Sequence, residues 1–292
     1  VDELATRITA LNMKGLNNDT VAEIRRIYEE IYDTFCDTRN IGWSKLYDYA
    51  SFLRDQNDYT KAIKVAEKLN WYYSDPDNKV DEYDLGRLYN LLGVLYDLQN
   101  QFEKAEKYYL AAIEIRERLV ENNADAYEPD LAMSYNSAGV FYHEQGQSDK
   151  AEKYYLAAIE IQKRLVKKNA DAYEPDLAMS YYNAGIFYRK HGQPDKAEKY
   201  YLAAIEIRER LVEKNADVYE PDLATLYYDY HLLKEDKTYL DKAYEIAKRR
   251  QDDPRCRYIV EFAESHKDSL FSGKPRKRER LRRFFRPRSK KR

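Results

Sequence analysis

The sequence repeats itself every 46 residues. The stretch Tyr135 to Asn169 recurs almost letter for letter as Tyr181 to Asn215, and an earlier copy begins at Tyr89. The alanines Ala105, Ala151 and Ala197 mark the spacing, 46 residues apart. A period of this length belongs to stacked supersecondary units that bury their apolar faces only against one another. It argues against a single closed core, so the 292 residues do not translate into a count of ordinary domains. Charged residues make up 35% of the chain, with only 9 Gly and 8 Pro, which suits long solvated helices. The 30 tyrosines fit helices that are half buried everywhere, since Tyr buries a ring and keeps a wet hydroxyl.

Ahead of the regular array, residues 2–14 have helical spacing and end at Gly15, a plausible C-cap. Residues 19–36 put Val21, Ile24, Ile27, Tyr28, Ile31 and Phe35 on one helical face. Residues 43–75 read as a worn repeat, with Ala50 and Ala62 spaced as Gly93 and Ala105 are. Three regular copies follow. They carry Tyr89, Gly93, Tyr96, Ala105, Tyr109 and Ala112; then Tyr135, Gly139, Tyr142, Ala151, Tyr155 and Ala158; then Tyr181, Gly185, Tyr188, Ala197, Tyr201 and Ala204. A fourth copy keeps Tyr227 and Ala243 but has His231 in the Gly position, and residues 255–271 read as a capping helix.

This pattern resembles the tetratricopeptide repeat, in which W-x2-L-G-x2-Y is followed by A-x3-F and a closing Pro. Tyr replaces Trp and Phe throughout, and the prolines Pro129, Pro175 and Pro221 come 12 residues late. Longer units of this kind look like kinesin-light-chain and bacterial tetratricopeptide arrays. The insertion is expected mainly to lengthen the second helix of each hairpin, with NADAYEPD as the turn and its Pro near the first turn of the next helix. The resemblance implies an all-α, right-handed superhelical solenoid of antiparallel helix hairpins, with about four to six helical pairs. The expected division is degenerate N-terminal hairpins over 1–80, the array with its cap over 81–271, and a basic tail over 272–292, read as disordered.

The copies 124–169 and 170–215 differ at 10 of 46 positions, and six of these lie between 136 and 145. The resemblance places the concave surface on the first helix of each hairpin, at Asn90, Val94, Met133, Asn136, Val140, His143, Met179, Tyr182, Ile186, Arg189, Lys190 and Tyr228. These are the candidate binding residues for a peptide or protein segment, with apolar anchors and mixed charge. Free drift of exposed positions is the competing explanation, though exposed positions of the second helix such as Glu152 and Glu160 did not drift. No phosphate-cradling Gly loop, HExxH, nucleophile elbow or Cys/His pair occurs, so neither catalysis nor a metal or other cofactor is expected.

Net charge is −2, yet residues 273–292 hold 12 Lys or Arg and one acid. Arg276, Lys277, Arg278, Arg280, Arg282 and Arg283 are the candidates for docking to nucleic acid or an anionic membrane. Cys36 and Cys256 form neither a metal spacing nor a disulfide framework, which points to a reducing, cytoplasmic setting. No apolar run approaches the length needed to span a bilayer. Three functions stay open at this point: a protein-interaction scaffold, electrostatic docking through the tail, and the sensor or scaffold arm of a larger protein. Neither the partner nor the oligomeric state can be read from the sequence.

Overall fold

The structure, a computed structural model, describes residues 7–11, 17–37, 44–78 and 80–265. The described residues are all-α, without strands. They fall into two compact units, Val1–Phe187 and Tyr188–Arg292. The expected C-cap at Gly15 and the basic tail lie outside the described residues.

In the first unit a helical segment at residues 7–11 precedes α1 (Asn18–Asp37), α2 (Ser44–Asp55), α3 (Tyr59–Tyr73), α4 (Glu82–Leu98), α5 (Phe102–Asn122), α6 (Ala124–Glu144) and α7 (Ser148–Lys168). Helix α8 (Ala170–Lys190) belongs to this unit except for its last three residues. Helices α2/α3, α4/α5 and α6/α7 pack as hairpins, and α3/α4 and α5/α6 join each hairpin to the next. The worn repeat read over residues 43–75 is therefore a true hairpin.

The turn inside each hairpin is set by one left-handed residue. Asn57, Asn100 and Gly146 have φ of 59°, 57° and 71°. The residue after each donates its N–H five residues back: Asp58 to Leu53, Gln101 to Tyr96 and Gln147 to Tyr142, at 2.9, 2.8 and 2.8 Å. This closes the helix C-terminus by satisfying a carbonyl that would otherwise lack a partner. Gly and Asn are the residues that adopt this conformation at least cost.

The junction between hairpins differs from the sequence expectation. NADAYEPD is not a turn. A single residue, Asn123 or Asn169, ends one helix and starts the next. Its backbone is extended, with φ and ψ of −155° and 88° at Asn123. The Asn123 side chain accepts from the Ala126 N–H and that of Asn169 from the Ala172 N–H, both at 3.2 Å. These are N-caps, which satisfy donors that no helical partner can reach. The cap starts the helix upstream of Pro129 or Pro175, so each proline lies inside a helix. There it removes one backbone bond near the N-terminus instead of ending the helix. The inserted residues thus lengthen both helices, and α5, α6, α7 and α8 each run 21 residues.

Packing within a hairpin depends on Gly against Tyr. A Cβ built on Gly93 would lie 2.8 Å from Tyr109 Cδ1, and one on Gly139 would lie 2.7 Å from Tyr155 Cδ1. Packing between hairpins uses the tyrosines. Tyr109 meets Phe141 at 5.3 Å between ring centroids, and Tyr155 meets Phe187 at 5.7 Å. Tyr142 stacks on Tyr154 (5.5 Å, 5°) with the Lys150 ammonium 4.6 Å from the Tyr142 centroid, and its hydroxyl donates to Glu106 on the preceding hairpin at 2.9 Å. Tyr96 repeats the device with Tyr108, Lys104 and Glu67. Each such ring is packed on one side, stacked on the other and tied at its tip, which accounts for the Tyr content.

The second unit continues with α9 (Pro194–Lys214), α10 (Ala216–Lys234), α11 (Lys237–Arg249) and α12 (Pro254–Ser265). Successive helices pack, and α12 also lies on α10; it falls in the stretch 255–271 read as a capping helix, whose last six residues lie outside the described residues. The irregular fourth copy has a physical logic. Where the other copies pair Gly with Tyr 16 residues on, this one has His231 and Ala247. Both are buried, so the bulk has moved from the second helix to the first. Among the described residues, no helix is long and apolar enough to cross a membrane.

Candidate functional site

The first helices of the hairpins, α4, α6, α8 and α10, carry the residues singled out for the binding face. In the first unit, Met133 on α6 and Met179 on α8 are 45% and 38% exposed, high values for side chains of this size and apolarity. Val94, Val140, Ile186 and Tyr182 are half-buried. Asn90 is half-buried too, and its Oδ1 has no hydrogen-bond partner. His143 is half-buried and sets its ring edge-on to Phe187 at 5.5 Å.

One predicted residue of this unit does not face solvent. Asn136 is buried, and its Oδ1 accepts from Ser180 Oγ at 3.4 Å and Asn183 Nδ2 at 3.2 Å. Its side chain joins α6 to α8 and is not offered to a ligand. The swap to Tyr182 in the next copy had suggested a surface position; the sequence did not reveal that Ser180 and Asn183 would converge on it.

The unit also carries an acidic pair. Burial, helped by the nearby Glu144 carboxylate, pushes Asp97 up to about 6. The buried Tyr109 hydroxyl is held well above its usual range, first by burial and then by Asp97 and Glu144.

In the second unit, Lys190 is exposed, whereas Arg189 is engaged. Its Nε donates to the Tyr201 hydroxyl at 3.1 Å and a terminal nitrogen pairs with Asp229 at 3.2 Å. Asp229 is itself buried. Sequence inspection missed it, although a signal was present. Along the 46-residue register, Ser137 and Asn183 become Asp229 one copy after Asp97 and His143 become Arg189. Tyr228, also predicted to line the binding face, is buried under α12 against Tyr258 and Phe262, with centroids 5.8 and 5.0 Å away. α12 covers it by packing across α10.

No group of three or more His, Cys, Asp or Glu among the described residues is placed to hold a metal ion. The tail candidates Arg276 to Arg283 lie outside the described residues.

Family models of the tetratricopeptide repeat match residues 86–118 and 130–210. These two stretches of the chain are tetratricopeptide repeats. Solved tetratricopeptide-type structures share the fold at low sequence identity. BtubC (BKLC) from P. vanneervenii is 20% identical, with 95% of this chain and 96% of that one covered and a TM-score of 0.52. A putative kinesin light chain of Podosopora anserina with nearly identical TPR-like repeats is 14% identical, covering 72% and 96%, at a TM-score of 0.54. A Rap protein complexed with competence and sporulation factor is 16% identical, covering 94% and 83%, at a TM-score of 0.57. No curated protein matches the chain in sequence.

Proposed function

We propose that this chain is a non-catalytic interaction scaffold that holds a segment of a protein partner along the first-helix face of its first unit. The observation that carries the proposal is the exposure of Met133 and Met179, one on each of two successive first helices. Large apolar side chains that a fold leaves in water are candidates for contact with a partner. Met suits a surface that adapts to the segment it receives. Val94, Val140 and Ile186 add apolar surface at the matching positions, and Asp97 and Glu144 add negative charge. Six of the ten differences between the near-identical copies fall on this stretch of helix, and those at Asn136, Asn183 and Arg189 change contacts within the array. Proteins of similar fold include a Rap protein complexed with competence and sporulation factor and a Rap conjugation regulator in complex with the Phr* peptide.

A random peptide library displayed on phage, selected against the full chain, tests the proposal. Peptides so selected should lose at least about tenfold in affinity for the Met133→Glu/Met179→Glu variant, since a desolvated apolar contact cannot accommodate a charge. Both positions are exposed, so the helical signal should not change. Undiminished binding by a variant with an intact helical signal would place the binding surface elsewhere.

A further inference from the structure

In the first unit a buried tyrosine reaches two carboxylates that have no counter-ion. The Tyr109 ring on α5 touches α4 at Gly93, where a Cβ would come within 2.8 Å of it, and its centroid lies 5.3 Å from that of Phe141 on α6. Asp97 follows Gly93 by four residues and Glu144 follows Phe141 by three, so each stands one turn beyond the contact, in the last turn of its helix. Tyr109 is 4% exposed, and its hydroxyl makes no hydrogen bond to a described residue. The hydroxyl points toward the acids, because after burial it is Asp97 and then Glu144 that hold it above its usual range. Among the described residues, neither Asp97 nor Glu144 forms an ion pair. Three effects disfavour the two charges together: the partial burial of Asp97, their mutual repulsion, and the negative end of each helix dipole.

The second unit shows what a tyrosine at this place takes. Along the 46-residue register Tyr109 becomes Tyr201 and Asp97 becomes Arg189. Arg189 donates its Nε to the Tyr201 hydroxyl at 3.1 Å and pairs with the buried Asp229 at 3.2 Å. A guanidinium thus rests between a tyrosine hydroxyl and a carboxylate. In the first unit the hydroxyl is kept, but the position that supplied the arginine now supplies an acid. We infer that Tyr109, Asp97 and Glu144 form a receiving site for an arginine side chain of the partner segment. The inference specifies the segment held along the first-helix face, and so rests on that reading. A guanidinium presents a planar fork of N–H donors, which suits two carboxylates and a hydroxyl better than the compact ammonium of lysine does. Val94 lies three residues before Asp97 and Val140 four before Glu144, so the apolar strip and the acids share one face. The segment that fits carries an arginine beside its apolar anchors.

The phage selection on the full chain provides the test. Peptides recovered on the native chain should carry arginine severalfold above its frequency in the library, at a fixed distance from an apolar residue. In such a peptide, replacing that arginine by citrulline, its neutral isostere, should cost at least about tenfold in affinity for the native chain. Against the Asp97→Asn/Glu144→Gln variant the same replacement should cost little. This variant removes only charges that repel each other, so it should keep the native helical signal. Peptides that need Met133 and Met179 but show no arginine enrichment would overturn this inference and leave the proposed function standing. So would a citrulline peptide that binds the native chain as tightly as its arginine parent. Peptides that need the arginine and both acids, yet tolerate Met133→Glu/Met179→Glu, would uphold the site and move the apolar contact elsewhere. Failure to recover any peptide would overturn both.

Discussion

Gly139→Ala should destabilise the protein although it replaces a poor helix former with the best one. The change lies in the interior of α6, where Ala is favoured over Gly by about 1 kcal/mol. Against this, the new methyl carbon would lie 2.7 Å from Tyr155 Cδ1 and 2.8 Å from Cε1, well inside contact distance. Tyr155 is 2% exposed and lies against Phe187 on α8, so its ring cannot swing clear without disturbing the next hairpin. Overpacking of this kind costs about 1–3 kcal/mol before the gain in propensity is subtracted. The expected net loss is about 1 kcal/mol, and it depends on the ring. Urea denaturation followed by circular dichroism, in a double-mutant cycle with Tyr155→Ala, separates the two contributions. In the Tyr155→Ala background the clash is gone, and Gly139→Ala should stabilise by up to about 1 kcal/mol. The reversal of sign is the decisive feature. A Gly139→Ala variant as stable as the native chain with Tyr155 in place would refute the account of the Gly–Tyr contact.

Two further outcomes follow from features already described. The pKa of Asp97 is raised in the folded state, so the folded protein binds its proton more readily than the unfolded chain does. This group therefore favours folding fully at pH below its unfolded value near 3.8, and the benefit is lost as pH rises through about 6. Asp97→Asn should raise the melting temperature at pH 7 and flatten the pH dependence between 4 and 6; an unchanged profile would show that the carboxylate is not strained. Asn169→Ala should cost about 1 kcal/mol through loss of the cap to Ala172, measured by thermal melting, whereas Asn169→Gly should cost only a few tenths.

The 46-residue period and the hairpin pairing were legible because the Tyr, Gly and Ala markers recur at fixed spacing, whereas the contact of each Gly with the Tyr 16 residues on came from the structure. The hairpin junction was not legible, because Pro suggests a helix start and eight polar or small residues suggest a turn. The Asn caps decided otherwise by opening each helix five residues ahead of its proline. At the candidate site, the exposed methionines and the apolar strip followed from the register. Asn136 and Tyr228 did not, since both are covered by residues from another helix that the register alone cannot orient. Arg189 was found without its counter-ion, because Asp229 lies on the next first helix, 40 residues away.

A junction of one residue also limits how such a chain can change its length. A longer loop would absorb an inserted residue as slack. Asn123 and Asn169 have none to give, since each is bonded to the helix on both sides. One residue added inside a 21-residue helix turns everything beyond it by about 100°, which would swing the Gly face of α6 away from Tyr155. The array is geared, with each helix meshed to the next through a fixed phase. Its length is therefore free to change by whole repeats, which preserve that phase, but not by single residues. The copies 124–169 and 170–215 conform to this rule: they have diverged at ten positions without gaining or losing a residue.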